Sequence, residues 1–140
     1  MTFDAQMRIG TLEITAALLV VAVAASRPRV RAAAEIGRMQ PMLVSLEIVE
    51  RTGGRAYDGR PPFEVGRGRE LDVVLRDPEV SRRHARFESQ NGIVYVEDLR
   101  SRNGTFLNGR RVAEAIEVRE GDAVDAGTTR LVVKSIRPWT

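Results

Sequence analysis

Three short segments of this chain hold side chains whose types and spacing could do chemistry. The first, Gly66-Arg67-Gly68-Arg69-Glu70, alternates glycine with arginine. Such a stretch can bend and present guanidinium forks, which match phosphate oxygens. A nucleotide-binding glycine loop would instead need a following helix to aim its dipole at the phosphates. Leu71 to Leu75 reads as a strand. The second segment, Ser81-Arg82-Arg83-His84-Ala85, puts a hydroxyl, two guanidiniums and an imidazole within four residues. Serine and arginine can hold a phosphate jointly, or serine could act as a nucleophile with His84 as its base. Catalysis would also require an orienting group and an oxyanion hole. His84 is the only histidine, and no nucleophile-elbow motif is present. The expected work of His84 is therefore to brace its loop, and no enzyme activity is expected.

The third segment runs from Asp98 to Gly109 and contains Asn103-Gly104-Thr105 and Asn108-Gly109. Asparagine tolerates turn conformations. Its amide also offers a donor and an acceptor, which suits the reading of a peptide backbone. The plain structural alternative is two tight turns. All three segments fall at turns or strand ends, where sandwich domains carry their binding loops.

The elements that must position these residues are short strands. Met42, Val44, Leu46 and Ile48 alternate with Leu43, Ser45, Glu47 and Val49, a period of two with one buried face. Gly53-Gly54 and Asp58-Gly59 are turn signals. Ala85 and Phe87 face one way, with His84, Arg86 and Glu88 on the other side. Asn91-Gly92 separates that strand from Ile93 to Asp98, a strong hairpin signal. Gly121 and Gly127 bracket another strand, and Arg130 to Ile136 closes the series. Many short strands without helical periodicity predict an all-β sandwich.

Composition narrows the function. The 140 residues contain no cysteine, which excludes a disulfide framework and a cysteine-ligated zinc site. The formal net charge is +3. The pI of about 10.1 rests almost wholly on arginine, because Lys134 is the only lysine. Arginine suits a phosphate ligand and nucleic acid alike, and GC-rich codon usage yields the same bias. A basic nucleic-acid-binding β-domain is thus the rival reading. The seven aromatic residues leave it short of a stacking platform for single strands.

The composition changes near Arg27. Residues 1–26 read as an apolar helix and 27–41 as a basic linker, with the β-domain over 42–137. The apolar stretch from Ile9 to Ala25 is 17 residues long, with Glu13 its one charged member. About 17 residues is the lower limit for spanning a bilayer. Arg27, Arg29, Arg31 and Arg38 follow, the pattern of a cytoplasmic flank. The expectation is a single-pass anchor over residues 9–25 with the β-domain in the cytoplasm. A packed helix on a soluble cytoplasmic protein and a cleaved signal peptide with Ala22-Val23-Ala24 at its cleavage site are the alternatives.

Taken together, Gly66-Arg67, then Ser81-x-x-His84, then Asn103-Gly104-Thr105-x-x-Asn108-Gly109 resemble the forkhead-associated (FHA) domain family in order and spacing. Leu71 to Leu75 and Asp77 to Val80 add to the likeness, which covers roughly Met42 to Ile136. The resemblance implies a β-sandwich of about eleven strands in two sheets, binding phosphothreonine peptides through loops at one end. It implies that Arg67 pairs with the phosphate and that Ser81 hydrogen-bonds it. Arg82 and Arg102 fall where peptide- or phosphate-edge contacts are made, and Asn103 where the peptide backbone is held. His84 would hold the loop shape. Gly66, Gly104 and Thr105 would be architectural, and Asn108-Gly109 would close a turn. The implied partners are phosphothreonine-containing proteins and, indirectly, a Ser/Thr protein kinase, with no cofactor, metal or nucleic acid. Charge-assisted bonds of about 1.5–3 kcal/mol each would separate phosphorylated from unphosphorylated peptide. Burial of the threonine methyl adds only about 0.8 kcal/mol. Arg69, Arg82, Arg83, Arg100 and Arg102 suggest acidic residues near the phosphothreonine.

Overall fold

The computed structural model describes residues 40–140. The apolar segment 1–26 and residues 27–39 of the basic linker lie outside the described residues, and with them the expected membrane anchor. Among the described residues no helix is long and apolar enough to cross a membrane.

Eleven strands follow one another: β1 (Met42–Glu50), β2 (Gly53–Gly59), β3 (Phe63–Gly66), β4 (Val73–Val74), β5 (Ala85–Gln90), β6 (Ile93–Asp98), β7 (Thr105–Leu107), β8 (Arg110–Arg111), β9 (Ile116–Val118), β10 (Ala123–Ala126) and β11 (Thr129–Pro138). One sheet has the order β2-β1-β11-β10-β7-β8 and the other β4-β3-β5-β6-β9. The all-β sandwich expected from the turn spacing is the observed architecture.

The alternation in β1 works as expected. Met42, Val44, Leu46 and Ile48 are buried while Glu47 and Val49 are exposed. Leu43 departs from it and is buried as well. Val65, Val73, Phe87, Val94 and Val96 from the second sheet complete the core with Leu131 and Val133 of β11. Phe63 and Phe87 stack with ring centroids 4.9 Å apart. Burying a side chain of this size is worth roughly 1.5–3 kcal/mol, so this shared apolar layer holds the two sheets together.

Two asparagine-glycine pairs close hairpins. Asn91-Gly92 joins β5 to β6 with φ of 54° and 75°, and Asn108-Gly109 joins β7 to β8 with 49° and 84°. Both central residues of such turns need positive φ, which Asn and Gly accept at least cost.

Other turn signals mark something different. Gly53-Gly54 and Asp58-Gly59 lie inside β2, and the turn after β1 falls at Arg51-Thr52. β2 is an edge strand, where glycine costs little packing. At Gly59 the ring of Tyr57 occupies the space that a Cβ would take. Asn103-Gly104 is no hairpin either. It ends a crossover from β6 in one sheet to β7 in the other, and the positive φ values there fall at Arg100 (55°) and Gly104 (88°). The strand expected over Leu71 to Leu75 narrows to Val73–Val74, paired parallel to β3.

Candidate functional site

The first two chemical segments are tied together through their backbones. The Arg67 N–H donates to the Ser81 carbonyl at 3.0 Å, and the Gly68 N–H to the Arg82 carbonyl at 3.0 Å. The Gly66 carbonyl accepts from the Leu75 N–H at 2.7 Å, and the Val65 carbonyl accepts from the His84 N–H at 3.0 Å. The two loops therefore continue the pairing of β3 beyond its end. A Cβ on Gly66 would overlap the Arg82 carbonyl oxygen, so glycine is what permits this approach. Arg67 and Ser81 are neighbours as a result. The Arg67 Nε–H donates to the Val80 carbonyl at 3.1 Å, which orients the guanidinium.

The third segment joins through side chains. The Ser81 hydroxyl oxygen accepts the Arg102 N–H at 2.9 Å. That bond uses an oxygen lone pair and leaves the hydroxyl proton to donate elsewhere. The Asn103 side-chain N–H donates to the Glu79 carbonyl at 2.8 Å and to its carboxylate at 3.0 Å. The Asn103 amide oxygen accepts nothing from the described residues and remains an acceptor for an incoming N–H.

His84 lies beneath this junction, fully buried. It was expected on the outer side of its strand with Arg86 and Glu88, and the structure corrects this: it precedes β5 and its ring points into the interior. The Ser81 N–H donates to Nδ1 at 3.1 Å, and Nε2 lies 2.9 Å from the Gly104 carbonyl oxygen. An N–H partner makes Nδ1 the acceptor, so Nε2 carries the proton and donates to Gly104. The neutral ring thereby links the Ser81 loop to the Gly104 loop. Neither ring nitrogen is left to take a proton from the Ser81 hydroxyl, which removes the geometry that a serine nucleophile would need.

Sequence reasoning missed the carboxylates that shape these loops. Asp98 accepts from the Ser101 N–H at 3.1 Å, the Ser101 hydroxyl at 2.5 Å and the Thr105 hydroxyl at 2.7 Å. The Ser101 oxygen in turn accepts the Gly104 N–H at 2.9 Å. Burial pushes the Asp98 carboxyl up, but the bonds from Ser101 and Thr105 outweigh it and hold the group below its ordinary range. Asp77 plays the same part on the other side. Its carboxylate accepts from the Glu79 N–H (2.9 Å), the Thr128 N–H and hydroxyl (both 2.8 Å) and the Thr129 hydroxyl (3.0 Å). Burial raises that carboxyl too, and the Glu79, Thr128 and Thr129 bonds bring it below the ordinary value. The signal was present as Asp77-x-Glu79 and Asp98-x-x-Ser101, where aspartate bonds nearby backbone N–H groups. The Thr128 and Thr129 contacts, some fifty residues away in sequence, left no local trace.

Not every residue of the three segments is available to a ligand. Arg82 and Arg102 are exposed beside Ser81. Arg83 turns away, bonding Glu64 at 2.8 and 2.5 Å. That bond holds the Glu64 carboxyl below its ordinary range. Thr105 is buried under the loop, and Gly104 supplies the carbonyl for His84. Asn108 stands apart from the junction, bonding Asp122 at 3.0 Å and the Ala123 N–H at 2.9 Å. It ties the β7–β8 turn to the start of β10.

The FHA domain family model matches residues 63–127. A solved FHA domain from work on phosphothreonine-dependent FHA interactions superimposes with a TM-score of 0.61 at 30% identity, covering 69% of this chain and 99% of that one. This chain belongs to the FHA family. The FhaA FHA domain superimposes as well, with a TM-score of 0.59 and 30% identity over 65% of this chain and 99% of that one. Among curated proteins, the FHA chain is 42% identical over 95 residues to the oxoglutarate dehydrogenase inhibitor of Corynebacterium diphtheriae, covering 66% of each. It is 37% identical over 83 residues to the FHA domain-containing protein FhaB of Mycobacterium tuberculosis, covering 59% of this chain and 54% of that one. The FHA match therefore spans between half and two thirds of the length of these relatives.

Proposed function

We propose that this protein is a phosphothreonine-peptide-binding adaptor that recruits proteins phosphorylated by a Ser/Thr kinase. The observation that carries the reading is the Ser81 hydroxyl. One lone pair of its oxygen accepts the Arg102 N–H at 2.9 Å and its proton is left to donate to a ligand, while the Arg67 guanidinium is anchored on the carbonyl of the preceding residue, Val80, at 3.1 Å. A phosphoryl group offers close to two negative charges and three acceptor oxygens, which suits that pairing. Arg82 and Arg102 extend the cationic rim, and Asn103 offers its amide oxygen to the peptide backbone. Gly66, His84, Gly104 and Thr105 fix the loops, and Asn108-Gly109 shapes the neighbouring hairpin. Support comes also from the neighbours: one solved FHA domain belongs to phosphothreonine-dependent interactions, and FhaA is complexed with the intracellular domain of a second protein.

In this reading residues 42–137 form the binding unit, 27–41 a basic linker, and residues 9–25 a single-pass anchor that keeps the unit at the cytoplasmic face of the membrane. The 17-residue apolar run and the arginines that follow it support that arrangement. The nucleic-acid alternative has arginine content alone in its favour.

Calorimetric titration tests the function. A phosphothreonine peptide should bind, its unphosphorylated form should not, and duplex DNA should fail to displace it. Equal binding of both peptide forms, or displacement by DNA, would refute the reading.

A further inference from the structure

Beside Arg67 a groove of about 930 Å³ runs between the β1–β2 turn and the segment around β4. That is near the upper end of the 300–1,000 Å³ typical of ligand clefts. Its charged lining is Arg55, Arg67, Arg69 and Arg76 against Glu50 alone. Glu50 is already committed to the framework. One carboxylate oxygen accepts the Arg76 N–H at 2.8 Å, and the other lies 3.9 Å from Arg55 Nε. Arg55 also donates to the Val74 carbonyl. Arg67, Arg69 and Arg76 make no ion pair with any described residue.

The charge exceeds what one phosphothreonine requires. A phosphoryl dianion carries about two charges, and Arg67 with Arg82 on the rim supplies two. Arg69 and Arg76 then remain in the groove without a counter-charge. Both are arginines, whose planar forks suit the several oxygens of a phosphoryl group better than a single carboxylate does. Arg67 borders the groove and the Ser81 junction alike, so one peptide can reach both.

We infer that the groove is a second phosphate subsite, and that the preferred ligand is a doubly phosphorylated segment. One phosphothreonine sits at Arg67 and Ser81, and a second phosphorylated side chain of the same peptide enters between Arg69 and Arg76. The inference rests on the proposed phosphothreonine site.

The test uses the full chain and a peptide set built on one phosphothreonine. A second phosphothreonine, or a glutamate, is placed one to four positions before or after it. At one spacing or more, the doubly phosphorylated peptide should bind roughly tenfold tighter or better, the effect of one or two charge-assisted bonds. The combined change Arg69→Gln and Arg76→Gln should erase that gain and leave the Kd for the singly phosphorylated peptide within about twofold. The inference is overturned if no spacing gains, if the gain survives the double change, or if glutamate gives the same gain as the second phosphate. Failure of the singly phosphorylated peptide to bind at all would instead remove the proposed function, and this subsite with it.

Discussion

The N–H of Ser81 donates to Nδ1 of His84, three residues along the chain, at 3.1 Å. This single bond sets the tautomer of a fully buried imidazole and so directs its other nitrogen at Gly104, on a different loop. Ser81, the proposed hydrogen-bond donor to the phosphate, is therefore held at three points, by His84 through its N–H, by the Arg67 N–H through its carbonyl and by the Arg102 N–H through its hydroxyl.

His84→Ala should damage stability and affinity together. It leaves the Ser81 N–H and the Gly104 carbonyl without partners and opens a cavity, costing about 2–4 kcal/mol of stability. Thermal denaturation and phosphopeptide titration would both register the change. A variant with native stability and affinity would disprove the bracing role.

Arg67→Ala and Ser81→Ala should separate binding from folding. Arg67→Ala is expected to abolish phosphopeptide binding while the melting temperature stays within a few degrees, since the loop backbone bonds persist. Ser81→Ala removes one charge-assisted bond to the phosphate and should weaken binding by about 1–3 kcal/mol. Calorimetry on folded variants reads both, and near-normal affinity in Arg67→Ala would refute the site.

Acid should loosen the loops through Asp77 and Asp98. Both carboxyls titrate below their ordinary value of 3.8 in the folded chain. Their ionised forms therefore stabilise the fold fully above about pH 3.8, and that contribution is lost as the pH falls through the lower folded-state values. Asp77→Asn should cost about 2–3 kcal/mol at neutral pH, because an amide N–H₂ would confront donors at Thr128 and Thr129. It should also flatten the acid limb of a stability-versus-pH curve. An unchanged acid limb would show that Asp77 has no part in it.

The anchor proposal is checked by fractionation. The full-length chain should sediment with membranes and resist extraction by high salt, since salt screens charge but leaves apolar burial intact. Removal of residues 1–38 should yield a soluble, folded domain that still binds phosphopeptide. Full-length protein recovered in the soluble fraction, or released by salt alone, would count against a spanning segment.

Much of the fold was legible because its signals are local. Alternation in Met42 to Ile48 exposes a one-sided strand, and Asn91-Gly92 and Asn108-Gly109 supply the positive φ that a two-residue hairpin needs. The same logic misled where a residue's partner lies far along the chain. Gly53-Gly54 and Asp58-Gly59 read as turns, yet β1 recruits them into an edge strand by pairing Ile48 with Arg55 and Leu46 with Tyr57. His84 fell on the outer side of its strand by simple alternation, because nothing near it in sequence reveals Gly104, twenty residues on.

The sequence by itself determined the chemical inventory of the site, its order along the chain and the β-sandwich that carries it, since residue type, turn chemistry and strand period are local properties. The tertiary structure decided which of these groups act together. Pairing beyond the end of β3 sets Arg67 beside Ser81, Glu64 draws Arg83 away, and Thr128 and Thr129 hold the Asp77 that positions Glu79 for Asn103. The Arg67–Ser81, Glu64–Arg83, Glu79–Asn103 and Asp77–Thr128 bonds join residues 14 or more apart in sequence, and their geometry exists only once the strands have paired and the sheets have packed.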